Sequence, residues 1–123
     1  MTVKWNLPIR VISEPNTHQH WSVKYKRGKE QKKYVWIAFY NNEPKIKLPC
    51  EVTLTRHGAR LLDDDNLVAS FKAIRDEIAD HIIPGKKPGQ ADSDFRITWN
   101  YKQKKSKEYS VTIEILSYGN PGS

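Results

Sequence analysis

Leu67, Phe71, Ile74, Ile78 and Ile82 recur at steps of four, three, four and four residues, and the rest of the chain has to accommodate that pattern. Such steps place apolar side chains on one face of an α-helix, because a turn takes about 3.6 residues. A face of this kind must be buried against a second apolar layer, and the chain supplies one. From Cys50 to Arg56, Cys50, Val52 and Leu54 alternate with Glu51, Thr53 and Thr55, the signature of a half-buried strand. The stretches Phe95 to Tyr101 and Tyr109 to Ile115 alternate in the same way. With a basic turn between them, they are expected to form a hairpin. Trp5, Leu7, Ile9 and Val11 mark a further strand from Lys4 to Ile12, in which Pro8 indicates an edge position or a bulge.

Between these strands, His18 to Tyr40 reads as a long helix, with Trp21, Tyr25, Gly28, Lys32, Val35 and Phe39 at helical spacing. Gly28 weakens it by about 1 kcal/mol relative to Ala. The β-rich segment Tyr34 to Tyr40 also fits a strand. Asn16 or Thr17 is placed to cap this helix, and Asn41 to Pro44 reads as a turn. Pro84 to Gly89 stops the later helix and forms a mobile loop. The expectation is a single α/β domain: a small mixed β-sheet packed by two α-helices over residues 1–117, with a flexible tail at 118–123. A length of 123 residues suits one domain with a real core.

The apolar run Val35 to Tyr40 is too short to span a membrane, and the N-terminus lacks the apolar core of a signal peptide. Cys50 is the only cysteine, so no internal disulfide forms, and it reads as a small core residue. These features point to a cytoplasmic protein. No repeat, phosphate-binding loop, zinc spacing or dinucleotide loop is present.

The net charge is +7, which favours an anionic partner, nucleic acid first. Lys24, Lys26, Arg27, Lys29, Lys32 and Lys33 cluster near His18, His20, Trp21 and Tyr25, while Lys102, Lys104, Lys105 and Lys107 lie between the two late strands. Each group also suits an ordinary solvated surface. His57, beside Arg56 and Arg60, fits either a phosphate contact or a loop role.

Against this basic background, Asp63, Asp64 and Asp65 stand together at the mouth of the apolar helix. Adjacent carboxylates disfavour one another's ionisation, and a divalent cation relieves the repulsion. Oxygen ligands at this density suit Mg²⁺ or Mn²⁺. Acidic residues in a first turn also cap a helix and complement its dipole. In an extended segment, Asp63 and Asp65 would share a face and Asp64 would point away, free to act as the cap. Asp92 and Asp94 repeat the spacing before the Phe95 strand. If that strand lies beside the Cys50 strand, a third carboxylate reaches the same cavity. The alternative for Asp92 and Asp94 is a solvated turn.

The stretch Asp63-Asp64-Asp65-Asn66-Leu67 is followed by an amphipathic helix, a glycine-containing loop, a second acidic cluster and a strand. This arrangement resembles the RusA family of Holliday junction resolvases, whose core is D-x-D-N-L at a helix start. Asp63, Asp65 and Asn66 match that core. The segment Asp92-Ser93-Asp94-Phe95-Arg96-Ile97-Thr98-Trp99 is similar to the phage-type branch, in which an acidic pair precedes an R-I-T-W-like strand. By that offset Asp92 takes the third catalytic place, with Asp94 the alternate. Pro8-Ile9-Arg10 and Ser13-Glu14-Pro15-Asn16 through His20-Trp21 resemble the same branch.

The resemblance implies a metal-dependent, structure-selective DNA endonuclease that resolves Holliday junctions as a homodimer. Asp63, Asp65 and Asp92 would hold Mg²⁺ or Mn²⁺. The family's functional lysine falls where this chain has Ala69, and Lys72, one turn on, is the candidate to replace it. Arg60, Lys24, Arg27, Lys104 and Lys105 are the candidate DNA contacts. The alternatives are a non-catalytic nucleic-acid-binding module and a nuclease for another branched or flap substrate.

Overall fold

The computed structural model describes residues 2–12, 21–41, 46–87 and 90–118. The alternating segments become strands β1 (Thr2–Leu7), β2 (Cys50–Gly58), β3 (Ile97–Lys105) and β4 (Ser110–Ser117). The helical segments become α1 (Trp21–Asn41), α2 (Asp64–Ser70) and α3 (Lys72–Ile82), and a short 3₁₀ turn, Ala91–Ser93, precedes β3. The four-stranded sheet has the order β1-β4-β2-β3. β4 runs antiparallel to both neighbours, while β2 and β3 are parallel. The mixed α/β architecture expected from the pattern is therefore present. β1 is an edge strand, as Pro8 suggested, and ends at Leu7, just before that proline.

Two features differ from the sequence expectation. β3 and β4 do not form a hairpin: they flank β2 on opposite sides. In β4 the consecutive Val111, Thr112 and Ile113 are all buried, which suits an interior strand, whereas β3 carries Lys102, Lys104 and Lys105, which suit an edge. The residues joining them pass across the end of β2, where Ser106 N donates to Gly58 O at 2.8 Å. A Cβ on Gly58 would lie 2.9 Å from Tyr109 Cε1 and 3.0 Å from Arg56 Nη2, so any side chain here would have to displace the Tyr109 ring and the Arg56 guanidinium. Lys104 and Lys105 thus belong to a strand and not to a hairpin tip, and they pair with His57 and Gly58.

The second difference is that the apolar helix is broken at Phe71, so the fold has three helices in place of two. Ser70 Oγ donates to Leu67 O at 2.6 Å, and Phe71 N reaches Val68 O, three residues back. Such local bonds compete with the regular ladder and bend helices. The apolar phase survives the break: Leu67, Phe71, Ile74 and Ile78 are all buried. Tyr34 to Tyr40 is helical and completes α1, as the reading of one long helix through Tyr40 expected. The loop 13–17, His18 and His20, most of the turn at 41–44, residues 88–89 of the Pro84–Gly89 loop and the tail 119–123 lie outside the described residues.

The core gathers Val35 and Phe39 of α1, the apolar face of α2 and α3, and the inward residues of the sheet. Cys50 is 1 % exposed, and burial pushes its thiol pKa up, in keeping with a core residue. Because β2 and β3 are parallel, the chain must cross back between them, and α2 and α3 make that crossover. The crossover carries the acidic turn at its start and Asp92 at its finish.

Candidate metal and DNA site

Inward residues of β3 organise the site. Trp99, Tyr101 and Gln103 alternate on one face of the strand, and each holds a different part of the crossover. Trp99 Nε1 donates to Asp92 O at 3.0 Å. Tyr101 Oη accepts from Arg75 Nη1 at 2.5 Å. The Gln103 carboxamide pairs with the Leu62 main chain, donating to its carbonyl at 2.7 Å and accepting from its amide at 2.9 Å. The loop leading to Asp63 is therefore fixed to the strand by one side chain and Asp92 by another. From Trp99 to Gln103 the strand rises by about 13 Å.

At the upper level, Asp63 occupies the N-cap position of α2, and Asp64 and Asp65 lie in its first turn. Asp63 has extended backbone, but its side chain makes no capping bond. The expectation of an extended Asp63–Asp65 segment with Asp64 as the cap is not met, because the helix begins at Asp64 and helical rotation separates the two side chains. All three carboxylates are exposed and have no hydrogen-bond or ion-pair partner among the described residues. Arg56, 4 % exposed, braces this loop from beneath: Nη1 donates to Arg60 O at 2.6 Å and Nε to Val11 O at 3.2 Å. Burial lowers its pKa. Its clue in the sequence is its register, since Arg56 occupies the inward position that follows Cys50, Val52 and Leu54.

At the lower level, Asp92 is buried in the 3₁₀ turn. Its Oδ2 lies 3.5 Å from Lys72 Nζ and 3.1 Å from Arg75 Nε, although that N–H does not point at it. Arg75 Nη2 donates to Asp92 O at 3.1 Å, and the guanidinium stacks 4.9 Å from the Trp99 ring centre. Lys72 also bonds Asp76 Oδ1 at 2.9 Å; that bond, above all, raises its pKa and keeps it cationic. Burial, with Asp76 and Asp92 nearby, pushes the Asp80 carboxyl up. β3 does lie beside β2, the condition set for a shared cavity, but Asp92 does not join Asp63 and Asp65 there. Of the four candidate catalytic residues, Lys72 and Asp92 meet, while Asp63 and Asp65 lie at the level of Gln103. Among the described residues no group of three His, Cys, Asp or Glu side chains gathers as a metal-ligand set.

Asp94 behaves differently from Asp92. It accepts from Arg96 N, Nε and Nη2 and from Lys86 Nζ, at 2.9–3.0 Å. Arg96 first, and Lys86 after it, hold its carboxyl well below the usual range. It is a turn residue with its acceptors engaged.

The candidate DNA contacts fall in two places. Arg60, Lys104 and Lys105 are exposed at the end of the sheet where β2 and β3 finish. Lys24 and Arg27 lie one turn apart on α1, Lys24 lining the groove beside α3 and Arg27 the adjoining cavity beside Arg10. His57 is not a loop residue: it sits in β2, with Nε2 2.9 Å from Thr112 Oγ1. Reading the sequence alone missed Arg56, Arg75, Asp76, Trp99, Tyr101 and Gln103.

A scan against protein-family models and a search of curated proteins found no match. Among the described residues no helix is long and apolar enough to cross a membrane.

Proposed function

We propose that this chain is a divalent-metal-dependent, structure-selective DNA endonuclease of the RusA type, cutting Holliday junctions as a homodimer. The observation that carries the reading is the pair of acidic centres on one crossover: an exposed, unpartnered Asp63–Asp65 turn, and a buried Asp92 in contact with Lys72. The donor chemistry of the turn fits a hard cation, because its carboxylates have no competing partner. Asp63 and Asp65 would hold Mg²⁺ or Mn²⁺, which would supply a nucleophilic water and neutralise the leaving oxygen, while Asp92, the third ligand that the resemblance implies, lies at the level of Trp99 against Lys72 and Arg75. The chain's own groups do the rest. Arg75 and Trp99 hold the Asp92 main chain, Arg56 and Gln103 hold the acidic loop, and Lys72 presents a cation beside both aspartates. Arg60, Lys104 and Lys105 receive the phosphate backbone. Two copies related by a two-fold axis would offer two sites to opposed strands.

A second reading, a non-catalytic nucleic-acid-binding module, is favoured by one observation: Lys72 and Arg75 already neutralise Asp92. Incubation with a synthetic four-way junction and Mg²⁺, beside a matched linear duplex, separates the two. The nuclease cuts the junction at paired positions and spares the duplex, with light scattering showing a dimer. Junction binding without cleavage in Mg²⁺ or Mn²⁺ would establish the module.

Junction affinity is expected to fall steeply with salt, since each neutralised phosphate contributes about 0.9 to the slope of log K against log salt. Changing Lys104 and Lys105 together to Glu should weaken binding and flatten that slope by roughly 1.8. A slope equal to that of wild type would place the end of β3 away from DNA.

A further inference from the structure

The groove between α1 and the α2–α3 pair encloses about 570 Å³. Gly28, Ala69 and Ala73 form its small-residue floor, and Lys24, Lys29, Lys32 and Lys72 form its cationic rim. Tyr25, Gln31, Ser70 and Asp76 complete the lining, and Lys29 Nζ lies 5.2 Å from the Tyr25 ring centre. Lys72 and Asp76 belong both to this groove and to the site around Asp92, so the two are continuous.

We propose that this groove takes one unpaired nucleotide of the bound DNA strand, its base over the Gly28–Ala73 floor and its phosphates on the lysine rim. The inference deepens the function proposed above and rests on it for DNA as the polymer.

Three observations carry it. Four ammonium groups line the groove with one carboxylate, Asp76, and although Asp76 and Asp92 engage Lys72, the excess of positive charge along the rim favours an anion, while the apolar floor and the Tyr25 ring are more than an inorganic anion uses. A nucleotide has both a charged and a flat apolar part. Secondly, Gln31 is 5 % exposed and its Nε2 is buried with no hydrogen-bond partner. A buried amide donor is costly to leave unpaired, and a base or a phosphate oxygen offers the missing acceptor. Gln31 stands in the wall between this groove and the cavity beside Arg10 and Arg27. Thirdly, Gly28 disfavours the middle of a helix, yet helix packing does not demand it. A Cβ there would meet Ala73 Cβ at 3.6 Å, an ordinary contact. What a side chain at that position removes is the floor of the groove. A nucleotide at a branch point has already lost stacking partners and costs least to draw out of the helix.

The test is a backbone-amide NMR titration of the full chain with 5′-phosphorylated trithymidylate, with inorganic phosphate as a parallel arm. Shifts are expected at Gly28, Gln31, Ala69 and Ala73. Gly28→Leu should weaken trithymidylate binding by about tenfold or more, the scale of one lost base contact. Gly28→Ala, which keeps the fold, should raise the melting temperature and still weaken binding. Shifts confined to the Lys104–Lys105 end, an equal response to inorganic phosphate, or unchanged affinity in Gly28→Ala would overturn the proposal. If trithymidylate binds the groove but the chain never cuts a junction, the nuclease reading falls and the groove stands. If junctions are cut while the groove stays silent, only the groove falls.

Discussion

Asp65→Asn is expected to abolish junction cleavage in Mg²⁺ while leaving junction binding within about twofold of wild type. Asp65 is exposed in the first turn of α2 and has no partner among the described residues, so the isosteric change breaks no packing or hydrogen bond. The fold loses only a favourable charge near a helix N-terminus, worth about 0.3–1 kcal/mol. Cleavage loses an anionic oxygen from the proposed cation site, and Asn is a far weaker ligand for a hard divalent ion. Asp64→Asn removes the same charge from the same turn and serves as the control for electrostatics. It should retain most of the activity, because the resemblance assigns ligation to its neighbours. Single-turnover cleavage of a saturated junction, with a gel-shift titration beside it, measures both quantities. Cleavage by Asp65→Asn at the wild-type rate would remove Asp65 from the site.

The acidic turn was legible because its meaning is local: three carboxylates at the start of a helix are unusual however the chain folds. Its internal geometry was not, since the backbone switches from extended to helical between Asp63 and Asp64. The strands were legible for a related reason. Alternation states which face of a strand is buried, but not which strand lies beside it. The expected hairpin of β3 with β4 failed on that point, although the lysines of β3 and the buried Val111–Ile113 run of β4 already distinguished an edge from an interior strand. The break at Phe71 left no trace in the periodicity, because one irregular residue keeps the apolar side chains in phase. Arg75, Trp99, Tyr101 and Gln103 were invisible as site residues for a different reason. Their contacts span separations of up to 41 residues, and they exist only once β3 lies beside β2 and the crossover packs over it.

Lys72→Ala is expected to reduce the cleavage rate by about 10²-fold or more, the effect of removing one preorganised donor from a developing charge, with little change in junction affinity. Lys72 Nζ lies 2.9 Å from Asp76 and 3.5 Å from Asp92, so its ammonium sits between two carboxylates. Bonding to Asp76 raises its pKa, so it is cationic throughout the neutral range. Its side chain is 64 % exposed, which leaves it open to a substrate phosphate. As a surface i, i+4 pair with Asp76 alone it would contribute only about 0.2–0.5 kcal/mol to the helix, and its loss would leave the rate untouched. The contact with Asp92 makes Lys72 more than a helical pair, and the cleavage rate decides whether that contact serves the chemistry or only neutralises Asp92. Ala69 lines the same groove as Lys72, about one helical turn away. Ala69→Lys in the Lys72→Ala background should therefore restore part of the rate by returning a cation to that end of the site. Single-turnover cleavage at saturating protein reads the chemical step directly. A Lys72→Ala rate within about twofold of wild type would make Lys72 a surface pair and turn the balance toward the binding module.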